Sequence, residues 1–196
     1  RALVRELLFV LQNIDGAHLQ WDGARDCFAL PLTAKVPPGA RQLVGRLSEL
    51  GWLFRQVTSY VKAGGAGKPG AAPAGGGGAV AGFERTPAGG GARAEGGLVA
   101  QALRHALQGE LDEWFQLLAV LEEQRQSELS LLQLLVWSTE PMQHLLIMAQ
   151  LTRGCGHLRG GAMTCAIARQ ENHGDPVISG YVRQLLKAAC APLYAM

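Results

Sequence analysis

Two short strings hold the side chains from which a reactive site could be built, His173 with Asp175 and Cys155 with His157. A histidine beside a carboxylate can act as an acid–base pair, and a thiolate with an imidazole can bind zinc. The first pair lies in the string His-Gly-Asp-Pro, which is typical of a turn that caps a helix. The second is a single C-x-H pair, whereas a structural zinc site uses four ligands. We therefore predict no catalytic residue, no metal site and no cofactor.

The other candidate ligands and nucleophiles are scattered along the chain. His18, His105 and His144 fall on separate predicted elements, and the four cysteines are spaced irregularly without a C-x-x-C pair. This spacing favours reduced thiols in a cytosolic protein. The sequence contains no nucleophile elbow, zinc-protease motif or nucleotide-binding fingerprint. We expect the protein not to be an enzyme, and the alternative is a hydrolase or metal enzyme that uses His173 and Asp175.

The charge balance and the hydropathy argue against two classes of partner. The 196 residues carry a net charge of +2, which is too weak to favour nucleic acid. The most apolar stretch, residues 129–152, is interrupted by glutamines, a histidine and the pair Glu140-Pro141. Neither apolar part reaches the roughly 18 residues of a transmembrane helix. We predict no nucleic-acid partner and no membrane partner.

Apolar residues recur at helical spacing along most of the chain, which predicts an all-α fold of antiparallel helical bundles. Ser138 and Pro141 combine a cap candidate with a first-turn proline, so one helix is expected to end near Trp137 and another to follow it up to residue 152. At most one short hairpin is expected, from residues 17–21 and 27–32. The other predicted helices cover about residues 3–11, 40–62, 98–123 and 162–170, with a last helix from 176.

A Gly/Ala/Pro-rich segment, residues 63–97, interrupts the helical pattern. It holds fourteen of the 26 glycines. A segment of this composition cannot bury enough apolar surface to offset the entropy of ordering it. We predict a long, flexible and disordered loop inserted into one helical domain.

Trp52 departs from the core pattern of the second predicted helix. It projects from the side opposite the apolar stripe, near Arg41 and Arg55. A tryptophan among arginines on an outer face is typical of an interface anchor, and Arg55 at i+3 could form a cation–π contact with it. The alternative, which we favour, is that this helix packs on two sides and that Trp52 lies in a second core seam.

The third predicted helix carries the acidic candidates for partner binding. Glu110 falls close to the apolar face of the helix. A carboxylate there has three alternatives: it extends to solvent at the edge of the bundle, it pairs with another side chain, or it stays protonated. Asp112, Glu113 and Glu123 face away from the core, which is ordinarily a solvated surface. An acidic face here and the basic face around Trp52 would also suit head-to-tail association between subunits.

Five ordered blocks of sequence resemble a known family. The opening sixteen residues, Arg-Ala-Leu-Val-Arg-Glu-Leu-Leu-Phe-Val-Leu-Gln-Asn-Ile-Asp-Gly, are similar to the first conserved block of the gamma-tubulin complex proteins, the subunits of the microtubule-nucleating ring. Residues 46–53 (Arg-Leu-Ser-Glu-Leu-Gly-Trp-Leu), 134–141 (Leu-Leu-Val-Trp-Ser-Thr-Glu-Pro), 160–162 (Gly-Gly-Ala) and 174–176 (Gly-Asp-Pro) follow in the family's order. They resemble the component 3 branch more than component 2.

The resemblance implies a structural role. In this family the N-terminal conserved domain is a set of helical bundles that makes lateral contacts with neighbouring subunits, and a C-terminal domain holds gamma-tubulin. The chain begins with Arg1 and resembles only part of the N-terminal domain, so we expect residues 1–196 to be a piece without its own gamma-tubulin site.

Function, partners and location follow as expectations from the resemblance. The expected function is a scaffold that templates microtubule nucleation. The expected location is the cytoplasm and cytoskeleton, at microtubule-organising centres and spindle poles. A generic helical adaptor that binds a partner helix or peptide is the alternative.

Overall fold

The computed structural model describes residues 2–31, 34, 36–63, 97–125 and 129–194, and it confirms the all-α class. Six helices and one two-stranded hairpin make up this described part of the chain. In chain order they are α1 (Ala2–Leu11), β1 (Gln20–Asp22), β2 (Cys27–Ala29), α2 (Pro38–Ala63), α3 (Leu98–Arg125), α4 (Leu131–Cys155), α5 (Gly161–Glu171) and α6 (Pro176–Tyr194).

A buried carboxylate ties α1 to the segment that follows it. The chain leaves α1 through Asn13, whose φ of 59° lies in the left-handed region that asparagine tolerates. Glu6 is only 8% exposed, and its carboxylate accepts the backbone N–H groups of His18 and Leu19 at 2.8 and 3.0 Å. These two bonds satisfy the buried charge and fix the entry to β1.

The predicted hairpin is confirmed, with shorter strands than expected. β1 and β2 pair antiparallel, and Trp21 lies opposite Phe28. The two rings meet edge to face with centroids 5.0 Å apart. β2 also packs against α2, so the hairpin covers one side of that helix.

One apolar core joins all six helices, and α2 and α3 hold its centre. α2 packs most extensively on α4, and α3 on α6. α1 crosses α2 at Gly51, where a Cβ atom would lie 2.5 Å from the carbonyl oxygen of Val10. Glycine is required there because no side chain fits at that separation.

The prediction of two helices between residues 128 and 152 is wrong. α4 runs without a break from Leu131 to Cys155, with Pro141 inside it. Its N-terminal cap is Ser130, which forms a capping box with Gln133. The hydroxyls of Ser138 and Thr139 do not cap a new helix but donate to the carbonyls of the preceding turn, at 2.6 and 2.9 Å.

The Gly/Ala-rich insertion lies outside the described residues, apart from its two terminal positions. Ala63 is the last residue of α2, and Gly97 immediately precedes α3. Within the described ranges, none of the helices combines the length and the apolar character needed to cross a bilayer.

Candidate interaction surfaces

Trp52 links three elements of the fold. Its ring is half-buried against the core, and its indole N–H donates to the carboxylate of Asp26 at 3.0 Å. The guanidinium of Arg153, on α4, lies 5.5 Å from the ring centroid. These contacts fit the second core seam that we favoured from the sequence. The use of Trp52 as a partner anchor stays a prediction.

Arg55 does not form the cation–π contact with Trp52 that its i+3 position would allow. Arg55 instead places its guanidinium 4.0 Å from the ring centroid of Trp21 and donates to the side chain of Asn13 at 3.4 Å. The reason is that the hairpin folds back over α2 and presents a closer aromatic face than the helix itself can.

Arg41 also uses its charge within the chain. Its guanidinium donates to the carbonyl of Ala34 at 2.9 Å and approaches those of Leu30 and Pro31 at 3.5 and 3.4 Å. Both arginines of the predicted basic face therefore hold the segment around the hairpin against α2. Their part in binding a partner stays a prediction.

The predicted acidic face of α3 divides into two. Asp112 and Glu123 are exposed on the side opposite the buried stripe of the helix, and Asp112 accepts a bond from Gln108 at 3.0 Å. Glu110 and Glu113 turn instead toward α4. The eleven-residue spacing of Asp112 and Glu123 puts them on one solvent-facing line.

An acidic groove lies between α3 and α4. Its cavity volume is about 230 Å³, and Glu110 and Glu113 from α3 meet Glu140 from α4 along its walls. Trp114 and Met148 supply part of its apolar lining, beside His144. The structure thus brings three carboxylates together over an apolar floor.

The inner side of the groove rests on α6. His144 stacks flat on Tyr181, with centroids 4.3 Å apart and an angle of 2° between the rings. Burial raises the pKa of the Glu110 carboxyl; the Tyr181 hydroxyl and His144 oppose the shift, and the Glu113 carboxylate adds to it. The Tyr181 hydroxyl lies beside Glu110 without meeting the geometry of a full hydrogen bond, and burial raises its pKa as well.

Sequence reasoning found Glu110 and Glu113 but missed Glu140, His144 and Tyr181. In the sequence Glu140 stands between Ser138 and Pro141, the candidates for a helix start, and His144 is an isolated histidine. Their i, i+4 spacing on a single helix was the available signal. Only the packing of α4 and α6 on α3 shows that the five side chains share one place.

The residues of the two candidate reactive strings, His173 with Asp175 and Cys155 with His157, do not form a reactive site in the described structure. The Asp175 carboxylate accepts the Val177 N–H at 2.9 Å, so the predicted capping turn is confirmed. His173 accepts the Asp175 N–H at 3.2 Å through Nδ1. Cys155 is buried, which raises the pKa of its thiol. The described residues contain no group of three or more His, Cys, Asp or Glu side chains that could hold a metal ion.

The described helices and surfaces define an all-α bundle domain whose aromatic and charged side chains lie on helix faces and in a groove. The chain belongs to the gamma-tubulin complex component family, because the family model for the N-terminal domain, "Gamma tubulin complex component N-terminal", matches residues 4–196. This confirms the resemblance carried by the five sequence blocks.

Curated relatives agree with the family match. The chain is 36% identical over 207 aligned residues to gamma-tubulin complex component 3 of Arabidopsis thaliana, covering 99% of this chain and 22% of that protein. It is 29% identical to gamma-tubulin complex component 3 of Homo sapiens, covering 98% and 20%. Spindle pole body component 98 of Dictyostelium discoideum is 21% identical, covering 99% and 28%. The chain spans only 20–28% of the length of these relatives.

Proposed function

We propose that this chain is part of the N-terminal domain of a gamma-tubulin complex subunit, of the component 3 type, and acts as a non-enzymatic scaffold. The observation that carries this proposal is the family match over residues 4–196. The domain makes lateral contacts with neighbouring subunits. The whole subunit then holds gamma-tubulin through a C-terminal region outside this chain, at microtubule-organising centres and spindle poles.

The mechanism is geometric. A core that is continuous through six helices behaves as one stiff body, because close-packed interiors deform little. When such bodies associate side by side, the angle at each contact fixes the position of the next subunit. A ring or spiral of gamma-tubulins held in this way templates the end of a microtubule.

The outer acidic line of α3 supports one side of the lateral contact. Asp112 and Glu123 are exposed there, and no lysine or arginine forms an ion pair with either one among the described residues. Complementary charge on a neighbour would steer the encounter and fix its register. Because Arg41 and Arg55 already hold intramolecular partners, cations of another surface would supply most of the opposite charge.

Co-purification of the full-length subunit tests the scaffold itself. Recovery of gamma-tubulin together with a related subunit is the expected result. A subunit that folds and expresses normally but recovers neither protein would overturn the proposal and favour a helical adaptor.

Charge reversal tests the surface. Asp112→Lys or Glu123→Lys in the full-length subunit should shift its sedimentation from the large complex toward smaller species. Glu49→Lys, an exposed acid on α2, is the matched control and should leave sedimentation unchanged. Normal assembly of both α3 variants would remove this face from the contact while leaving the scaffold proposal standing.

A further inference from the structure

The acidic groove between α3 and α4 holds three carboxylates that the described fold does not neutralise with a strong cation. Glu110, Glu113 and Glu140 line it, and no described lysine or arginine lies within ion-pair distance of any of them. Among the described residues that line the groove, His144 alone can carry a compensating charge, and it does so only when protonated. Like charges in one cleft repel each other, and a bound cation would remove that cost.

A buried hydroxyl directly behind the groove, beside Glu110 and His144, points to a hydrogen-bond donor as the ligand. Tyr181 is 7% exposed, and its hydroxyl oxygen has no hydrogen-bond partner in the described structure. The hydroxyl lies beside the Glu110 carboxylate. A buried phenol ordinarily finds a partner. Its lone pairs can accept an N–H group that also reaches Glu110.

The α4 wall offers a further acceptor. Pro141 has no N–H group, so it cannot donate to the carbonyl of Trp137 as an ordinary residue of the helix would. Trp137 is 43% exposed, and it lies one turn from Pro141 on the same side of α4. The helical hydrogen bond from residue 141 to the Trp137 carbonyl is therefore missing, one turn before the part of α4 that lines the groove.

We propose that the acidic groove binds the side chain of an arginine carried by a protein partner. A guanidinium is planar and presents five donors, which suits acceptors spread over two helix walls better than the single point charge of lysine does. Its aliphatic stem would lie against Trp114 and Met148. The volume of about 230 Å³ suits one side chain, since cofactor and drug sites measure roughly 300–1,000 Å³.

This proposal goes beyond the scaffold function. It names the ligand of a different surface from the outer acidic line, and it requires no particular subunit as the partner. The subunit can therefore fail to co-purify with gamma-tubulin while the groove still binds arginine. Conversely, the subunit can co-purify with gamma-tubulin while the groove binds no arginine.

A titration followed by amide NMR tests the groove. The 196-residue chain is titrated with N-acetyl-arginine amide, N-acetyl-lysine amide and the uncharged isostere N-acetyl-citrulline amide. The arginine probe should shift amides of α3 and α4 around Glu113 and Glu140 with millimolar affinity. The citrulline probe should bind about tenfold more weakly or not at all, because it lacks the charge, and lysine should fall between them.

Matched double variants locate the site. Glu113→Gln with Glu140→Gln removes two exposed charges of the groove and should weaken arginine binding about tenfold or more. Glu122→Gln with Glu123→Gln removes the same charge from elsewhere on α3 and should leave binding unchanged. Equal binding of the arginine and citrulline probes, or shifts centred away from α3 and α4, would overturn the proposal even if the groove variant failed to fold.

Discussion

At the residue scale, two glutamates of the same chain show how packing decides what a carboxylate does. Glu6 is buried, and two backbone N–H groups satisfy its charge. Glu110 is half-buried beside a tyrosine hydroxyl and another carboxylate, and its pKa rises. The sequence pattern flagged Glu110 because it falls near an apolar face. It could not flag Glu6, because the N–H groups that hold it come from a turn twelve residues away.

Replacing Glu110 should change how stability depends on pH. Its pKa is higher in the folded chain than in the unfolded one, so the stability it contributes is fully present below the ordinary glutamate pKa and is lost as pH rises through the raised value. Glu110→Gln should therefore raise Tm relative to the parent chain at pH 7, with the difference shrinking toward pH 4. Thermal unfolding across that range measures it.

The control for this prediction is Glu123→Gln, an exposed acid on the same helix. Its effect on Tm should stay nearly constant over the same pH range. An equal pH dependence for both variants would show that burial of Glu110 is not the cause.

Loss of the Glu6 carboxylate should destabilise the chain. Glu6→Ala leaves the N–H groups of His18 and Leu19 without their acceptor, which costs about 1–3 kcal/mol for a buried donor. Urea unfolding gives the free energy of unfolding directly. Glu49→Ala, at an exposed helical position, should change it by less than about 0.5 kcal/mol. Similar values for the two variants would contradict the role assigned to Glu6.

At the element scale, helical spacing predicted the positions of α1, α2, α3, α5 and α6 and failed only at α4. Ser138 and Pro141 are residue types that commonly occur at the start of a helix. The neighbouring sequence does not distinguish that position from the one observed, inside α4. The hydroxyls turn back to the preceding carbonyls, and the packing of α4 on α2 keeps the helix continuous. The acidic groove was unpredictable for a different reason, because helical spacing does not show which face of α4 meets α3.

Two glycines of α2 provide a matched test of the crossing between α1 and α2. Gly51→Ala would place Cβ 2.5 Å from the Val10 carbonyl oxygen and should cost about 1–3 kcal/mol of overpacking. Gly45→Ala meets no atom within 4 Å and should stabilise the helix by about 0.5–1 kcal/mol. Urea unfolding of both variants checks the opposite signs, and a stabilising Gly51→Ala would mean that α1 lies farther from α2.

At the scale of the whole molecule, the elements before and after the insertion depend on each other. The indole N–H of Trp114 donates to the carbonyl of Leu11 at 3.3 Å, across 103 positions of sequence. Phe54 and Phe115 meet edge to face with centroids 5.4 Å apart. α2 has its most extensive packing with α4. Sequence patterns predicted one interrupted domain, but they could not show which faces meet across the interruption.

The bond between Trp114 and Leu11 has a consequence for a chain that is cut in two. Residues 1–63 and 97–196 each hold only part of the shared core, so each piece alone should aggregate or remain largely unfolded. Co-expressed with different affinity tags, they should reassemble by fragment complementation and elute together with helical circular dichroism close to that of the uncut chain. Trp114→Ala should weaken this recovery more than Phe115→Ala, because Trp114 is the more deeply buried of the two. Independent folding of either piece would mean that the chain contains two domains. Cleavage between residues 63 and 97 would then release two separate domains, whereas a shared core would keep the two cleaved pieces associated.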